Sequence, residues 1–173
     1  MLKDFKQFVP SSVCLKCDGC CRFKEAGSRW RPYMAEAEKK EAGKPVLADK
    51  VFARHVISPD GRISVTSCGE GHLCYFLNPQ DNTCGIYHGR PFECQLYPFL
   101  LGRENGKTIV YAHLNCPHIQ EHWGAGLYKD YAAYLQEFFR REDVLSFLKD
   151  NPALIADYSA FRDELDHVFT IHL

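Results

Sequence analysis

Cys14-Leu15-Lys16-Cys17-Asp18-Gly19-Cys20-Cys21 is the stretch on which the reading of this chain turns. A C-x2-C step lets two thiolates converge on one metal, because the two intervening residues make a tight turn whose amides face the sulfurs. Two such steps in succession bring three thiolates into common reach, a run that also wraps iron–sulfur cubes. Gly19 is expected to relieve backbone crowding where the third thiolate turns inward. The adjacent pair Cys20 and Cys21 is the unusual feature. Side chains of neighbouring residues tend to point apart, whereas tetrahedral zinc, with Zn–S near ~2.3 Å, needs its sulfurs only ~3.8 Å from each other. Cys20 and Cys21 are therefore expected to serve different metal centres.

Further along come Cys68, Cys74, Cys84, Cys94 and Cys116, too widely separated to chelate as local pairs. Cys74, Cys84, Cys94 and Cys116 added to Cys14, Cys17, Cys20 and Cys21 give eight thiolates. Eight divides into two four-thiolate sites, each stitching the N-terminal loop to the middle of the chain. Cys68 is the spare, and an isolated cysteine reads most simply as a small buried apolar residue. His72, His88, His113, His118 and His122 lie near the cysteines in sequence. Each is a candidate to complete a site of three thiolates and one imidazole, although a solvated or core histidine is the commoner case. Arg90-Pro91 is expected to fix the loop before Cys94, with the guanidinium pairing a carboxylate or donating to a metal-bound sulfur. Asp18, Glu70 and Glu93 are candidates for acids that support the ligands, but exposed carboxylates are the rule and they are read as such.

Composition supports a folded, thiol-rich chain. Its 173 residues fall in the usual single-domain range, and 46% hydrophobic content is enough to bury a core. The expected division is a cysteine-rich metal-binding part over residues 1–122 and a helical tail over 123–173 packed on it. A formal net charge of −1 gives no general reason to expect nucleic acid or an anionic membrane as partner. Met1 to Pro10 holds Lys3, Asp4 and Lys6 but no apolar run, and nothing approaches the ~18 continuous apolar residues of a membrane span. The expected compartment is the reducing cytoplasm, where thiols bind metal or do chemistry instead of pairing.

The fold class expected is α+β, with short β-hairpins, cysteine-rich loops and C-terminal amphipathic helices. A short helix is expected between Arg31 and Gly43, with Glu36 to Glu41 as its solvated face. Val51–Ile57 and Ile63–Thr66 flank Ser58-Pro59-Asp60-Gly61 and read as a hairpin. A second hairpin joins 95–103 to 108–114 across Glu104-Asn105-Gly106-Lys107, where Asn-Gly suits positive φ. Leu127, Tyr131, Tyr134, Leu135 and Phe138 recur at helical spacing, as do Val144, Phe147 and Leu148. Asn151-Pro152 then reads as the start of a last helix carrying Ile155, Tyr158, Phe161, Leu165 and Val168 on one face. Phe138-Phe139 is expected to pack inward or to make a partner surface.

The run Cys14–Cys21 with Arg22, then Cys74-Tyr75-Phe76-Leu77, Cys84-Gly85-Ile86-Tyr87, Arg90-Pro91, Cys94, Tyr97-Pro98 and Cys116-Pro117, strongly resembles the CxxCxxCC cysteine-cluster family. That family is also called YkgJ-like and is described as zinc- or iron-chelating; it is related to the cluster-bearing part of flagellin lysine N-methylases. The resemblance covers about residues 14 to 118. Asp18 stands where a glycine is common, and Gln95 where a basic residue is usual. The resemblance implies a metal-binding protein, or a protein-modifying activity such as lysine methylation.

Iron–sulfur and zinc both remain open. Four-thiolate zinc sites usually use two C-x2-C knuckles, and the second is missing here; iron–sulfur clusters accept single cysteines from distant loops. No catalytic residue is readable, since G-x-S-x-G, P-loop, G-x-G-x-x-G and the C-x3-C-x2-C spacing of radical S-adenosylmethionine enzymes are all absent. Three functions follow: a metal-binding protein with a redox or metal-handling role, a protein-modifying enzyme, or a non-catalytic zinc module that binds a protein partner through its tail.

Overall fold

The structure, a computed structural model, describes residues 2, 4–17, 19–42 and 55–173, the side chains of 40–42 excepted. Its architecture is α+β. The described chain divides into two compact units, one of residues 10–95 and one of residues 2–9 with 96–173.

The first unit is built from short pieces. Helix α1 (Ser11–Cys14) is followed by a 3₁₀ turn at Gly19–Cys21, strand β1 (Arg22–Phe23) and helix α2 (Glu36–Ala42). Strands β2 (Val65–Cys68) and β3 (Gly71–Cys74) join β1 in an antiparallel sheet of order β1-β3-β2. Strands β4 (Leu77–Asn78) and β5 (Thr83–Cys84) form a separate two-stranded pair, and helix α3 (Phe92–Leu96) ends the unit. Phe23, Met34, Val56, Ile63, Leu73, Phe76, Leu77 and Ile86 are packed in one buried cluster with Cys74. With strands of two to four residues, regular structure alone supplies few of the contacts that hold this unit.

The turn at Ser58-Pro59-Asp60-Gly61 forms where expected, closed by Gly61 N–H on Ser58 O at 2.9 Å with Gly61 at φ 78°. Its arms differ from the expected hairpin. Ile57 and Ile63 make only a single bridge, His55 and Val56 are helical, and Val65–Cys68 pairs with β3 instead. Residues 51–54 of the expected strand lie outside the described residues. The turn is held by charge: Arg31 donates to Asp60 at 2.7 Å and to Ser58 at 2.8 Å. Helix α2 starts at Glu36, later than expected, because Tyr33 is bridged to Arg62 and stays extended. Its charged run is not wholly solvated. Glu38 is buried, accepting from Ala35 N–H at 2.9 Å and from Phe92 N–H at 2.6 Å, and so covers orphan donors at two helix starts.

In the second unit, β6 (Phe99–Glu104) and β7 (Lys107–His113) form the expected hairpin. Asn105 at φ 50° and Gly106 at φ 75° make its two-residue turn, the left-handed geometry that Asn-Gly favours. The first strand begins at Phe99 because residues 95 and 96 complete α3. Helices α4 (Pro117–His122), α5 (Gly126–Phe138) and α6 (Glu142–Asp150) follow. Helix α5 buries Tyr128, Tyr131, Leu135 and Phe138, and α6 buries Val144 and Leu148. Of the expected stripes Leu127 is instead exposed, with Tyr128 buried in its place, and Tyr134 and Phe147 are half-buried. Phe138 and Phe139 both point inward at 3% exposure, so the packing alternative holds.

The expected last helix does not form. Pro152–Leu154 and Ser159–Glu164 are 3₁₀ turns, and Leu165–Ile171 is strand β8, paired antiparallel to β7. The side-chain amide of Asn151 donates back to Phe147 O at 2.9 Å, sealing the end of α6 instead of opening a new helix. Val168, Phe169, Thr170 and Ile171 are β-branched or aromatic, and the open edge of β7 supplies the backbone partners that decide between the two periods.

Candidate metal centre

The N-terminal thiols are placed by turns. Cys14 ends α1, and Cys17 N–H donates back to Cys14 O at 3.2 Å, so the first C-x2-C step is a tight turn. A Cβ on Gly19 would sit 3.7 Å from Cys17 Sγ, an ordinary contact, so the expected relief of crowding is not needed there. The pairing of Arg22 with Leu73 and Phe23 with His72, continued by one residue, sets Cys21 beside Cys74.

That register has a chemical result. The Cys21 thiol is hydrogen-bonded to the sulfurs of both Cys20 and Cys74. Cys21 is pushed far up, first by these two bonds and then by burial, while Cys20 and Cys74 are lowered, first because each accepts from Cys21. Three sulfurs thus converge around the Cys21 thiol. The expectation that Cys20 and Cys21 face apart is corrected: the backbone changes from a 3₁₀ turn to a strand at Cys21, which lets adjacent side chains converge.

Two of the sulfurs, each at the end of a strand, face backbone amides. Cys74 also accepts from the N–H groups of Phe76 and Leu77. Cys84, raised first by burial, accepts from Ile86 N–H, and its loop is tied down by Gly85 N–H on Phe76 O at 2.8 Å. Amide donors of this kind stabilise a thiolate and orient it as a ligand. Cys94, on α3, is pushed well up by burial and then by the nearby charges of Cys74, Cys20, Glu93 and Cys84. Cys14 is raised by burial and by Cys20, and Tyr87 supplies a hydroxyl bond to its sulfur. Through these interactions Cys14, Cys17, Cys20, Cys21, Cys74, Cys84 and Cys94 form one neighbourhood in the first unit.

Arg90 is the cation that faces it. Its charge lowers Cys14, Cys20 and Cys84, against the larger effect of burial at Cys14 and Cys84. The guanidinium lies 3.9 Å from the centroid of the Tyr87 ring and donates to Tyr87 O, and Gln95 holds the Arg90 carbonyl at 2.8 Å. Of the two roles expected for Arg90, the geometry favours the one directed at sulfur. The residue that departs from the usual basic one, Gln95, is the one that positions it.

The model of the CxxCxxCC family, "Putative zinc- or iron-chelating domain", matches residues 13–117. The chain belongs to the CxxCxxCC family. No curated protein and no solved structure matches it.

The donor set of this CxxCxxCC chain fits a soft or borderline cation. Seven sulfurs are linked by pairwise interactions, three of them converge at Cys21, and amides already serve two of them. None of the nine cysteines, all of them described residues, is in a disulfide. The other two cysteines are Cys68 and Cys116. Cys68, expected to be buried, is exposed at the end of β2, because the Gly69-Glu70 turn follows it directly. Cys116 is buried at the start of α4 in the second unit.

The histidines separate. His88 is exposed in a 3₁₀ turn. His72 lies on β3 with a buried Nδ1 that has no hydrogen-bond partner. His113 is a satisfied core histidine: Tyr97 Oη lies 3.0 Å from Nδ1 and Glu164 Oε2 3.3 Å from Nε2, and burial lowers its pKa. His118 and His122 share one face of α4.

Glu93 is the residue that sequence reasoning undervalued. Its side chain is buried, lies 3.7 Å from Arg62 and accepts from Tyr33 N–H. Burial, only partly offset by Arg62, raises its pKa to about 7. The signal was its place between Pro91-Phe92 and Cys94, an apolar setting for a carboxylate. Among the described residues, no helix is long and apolar enough to cross a membrane.

Proposed function

We propose that this protein carries a thiolate-ligated metal centre that includes an iron–sulfur cluster and works in redox chemistry or metal handling in the reducing cytoplasm. The ligands are drawn from Cys14, Cys17, Cys20, Cys21, Cys74, Cys84 and Cys94. The observation that carries this reading is the convergence of the Cys20, Cys21 and Cys74 sulfurs, joined through hydrogen bonds at Cys21. Seven thiols in one neighbourhood exceed the four that a tetrahedral ion accepts, which favours a polynuclear centre. Single cysteines on separate strands, Cys74 and Cys84, are ligands that clusters use readily. Arg90 offsets part of the accumulated thiolate charge.

The test is anaerobic purification followed by an absorption spectrum and elemental analysis. A brown protein absorbing broadly near ~400 nm with matched iron and acid-labile sulfide is expected. A colourless protein with about two zinc ions per chain replaces the cluster by structural zinc. A metal-free, folded protein overturns the reading.

A further inference from the structure

We infer that α4 carries a second metal site, chemically distinct from the thiols, in which His118, His122 and Glu121 bind a borderline divalent cation such as zinc through two imidazoles and one carboxylate. The inference does not depend on what the cysteines bind.

The sequence His118-Ile119-Gln120-Glu121-His122 puts two imidazoles four residues apart, hence on one face of the helix, with a carboxylate beside the second. The folded chain realises that proximity. One ligand atom from each of the three residues lies within 4.8 Å of the other two, the imidazole centroids are 4.4 Å apart, and His122 Nε2 is 3.9 Å from Glu121 Oε2. Zinc with ~2.0–2.1 Å bonds needs its ligand atoms nearer together. The side chains of His122 and Glu121 are 27% and 73% exposed, so both are able to turn inward by the missing distance.

The independent observation is an orphan atom. His118 is 8% exposed, and its Nε2 is buried with no hydrogen-bond partner. Buried polar atoms are nearly always partnered, and an imidazole nitrogen left bare costs stability. His113 shows the usual solution in the same unit, with both ring nitrogens engaged. A cation at His118 Nε2 supplies the missing partner.

The surroundings suit such a site. Phe8 packs edge-on against His118 at 5.1 Å and against His122 at 6.5 Å, holding the imidazoles in place and keeping water off one side. Pro117 opens the helix, and Gly124 at φ 68° follows its end, so the three ligands occupy a short, well-defined turn. Three protein ligands leave a coordination position for water, the composition of an open site and not of a closed structural one.

The test uses the full-length protein with its thiol centre already loaded, titrated with cobalt(II). One further equivalent is expected to bind, giving weak visible d–d bands without the near-ultraviolet sulfur-to-cobalt charge transfer that thiolates produce. His122→Gln is expected to weaken that binding by ~100-fold and Glu121→Gln by ~10-fold, since each removes a ligand from a partly exposed position. Because His118 is in the packed interior, its role is read without mutation, from paramagnetic loss of its imidazole proton signals on cobalt addition. Equal affinity in His122→Gln, unchanged His118 imidazole proton signals on cobalt addition, or no binding at millimolar cobalt each overturns the inference.

Discussion

Replacing Gly102 by alanine should damage the second unit through a single collision. Gly102 lies in β6 opposite Ile109, and a Cβ built there would come within 2.4 Å of Tyr111 Cε2 and 2.7 Å of Cδ2, with Tyr158 Cδ2 at 3.3 Å. Carbon atoms rest at ~3.5–4.0 Å, so the Tyr111 ring must retreat by more than ~1 Å. It has little room. Tyr111 is 5% exposed and Tyr158 3%, and the Tyr111 hydroxyl is held on Glu104 at 2.7 Å. Overpacking of this kind costs about 1–3 kcal/mol. For a chain of this size that lowers Tm by roughly 2–4 °C per kcal/mol. Thermal melts of the wild type, Gly102→Ala, Tyr111→Val and the double variant form the assay. In the Tyr111→Val background the added methyl should meet an emptied site and cost less than half of what it costs alone. Strict additivity, or a Gly102→Ala protein within ~0.5 kcal/mol of wild type, refutes the collision.

The cysteine centre yields sharper contrasts. Cys74→Ser should lose most bound metal and Cys68→Ser none, measured as metal per chain by elemental analysis; equal loss from both would contradict the placement of Cys68 outside the sulfur neighbourhood. Arg90→Gln removes the positive charge that favours three thiolates, so its metal-binding midpoint should move to higher pH, while Arg90→Lys should stay nearer wild type. Matching pH profiles for all three proteins would leave Arg90 with a purely structural role. Glu93 has its folded pKa raised from 4.5 to about 7, so the folded state holds the proton more tightly than the unfolded one. Its contribution is full below about pH 4.5 and is lost as pH rises through about 7, a change of roughly 3 kcal/mol. Glu93→Gln should flatten that part of the stability–pH curve relative to wild type, and parallel curves would show that Glu93 does not titrate there.

Much of the sulfur neighbourhood was legible because thiol spacing is a chemical signal carried by residue type alone. Cys14, Cys17, Cys20 and Cys21 announced themselves, and the Asn105-Gly106 turn followed from backbone sterics. What escaped was decided by tertiary partners. Leu165 and Val168 fit a helical stripe as well as a strand, and only the edge of β7 chooses between them. The convergence of Cys20 and Cys21 depends on where a 3₁₀ turn gives way to β1, a boundary set by pairing with β3. Glu38 and Glu93 looked solvated because nothing local says that Phe92 and Tyr33 need acceptors. Buried acids are invisible until their donors are placed.

The second unit is assembled from two ends of the chain. Lys6 N–H donates to the Tyr134 hydroxyl at 2.8 Å, and the Tyr131 hydroxyl donates to Lys6 O at 2.5 Å, contacts that span 128 and 125 residues. On a ribosome adding about 5–20 residues per second, the strap that bears Phe8 therefore waits roughly 6–25 s for its docking helix to emerge. All the thiols from Cys14 to Cys94 leave the ribosome within that interval. Metal capture by the nascent chain can thus precede completion of the second unit, whose first segment waits on the last stretch of synthesis.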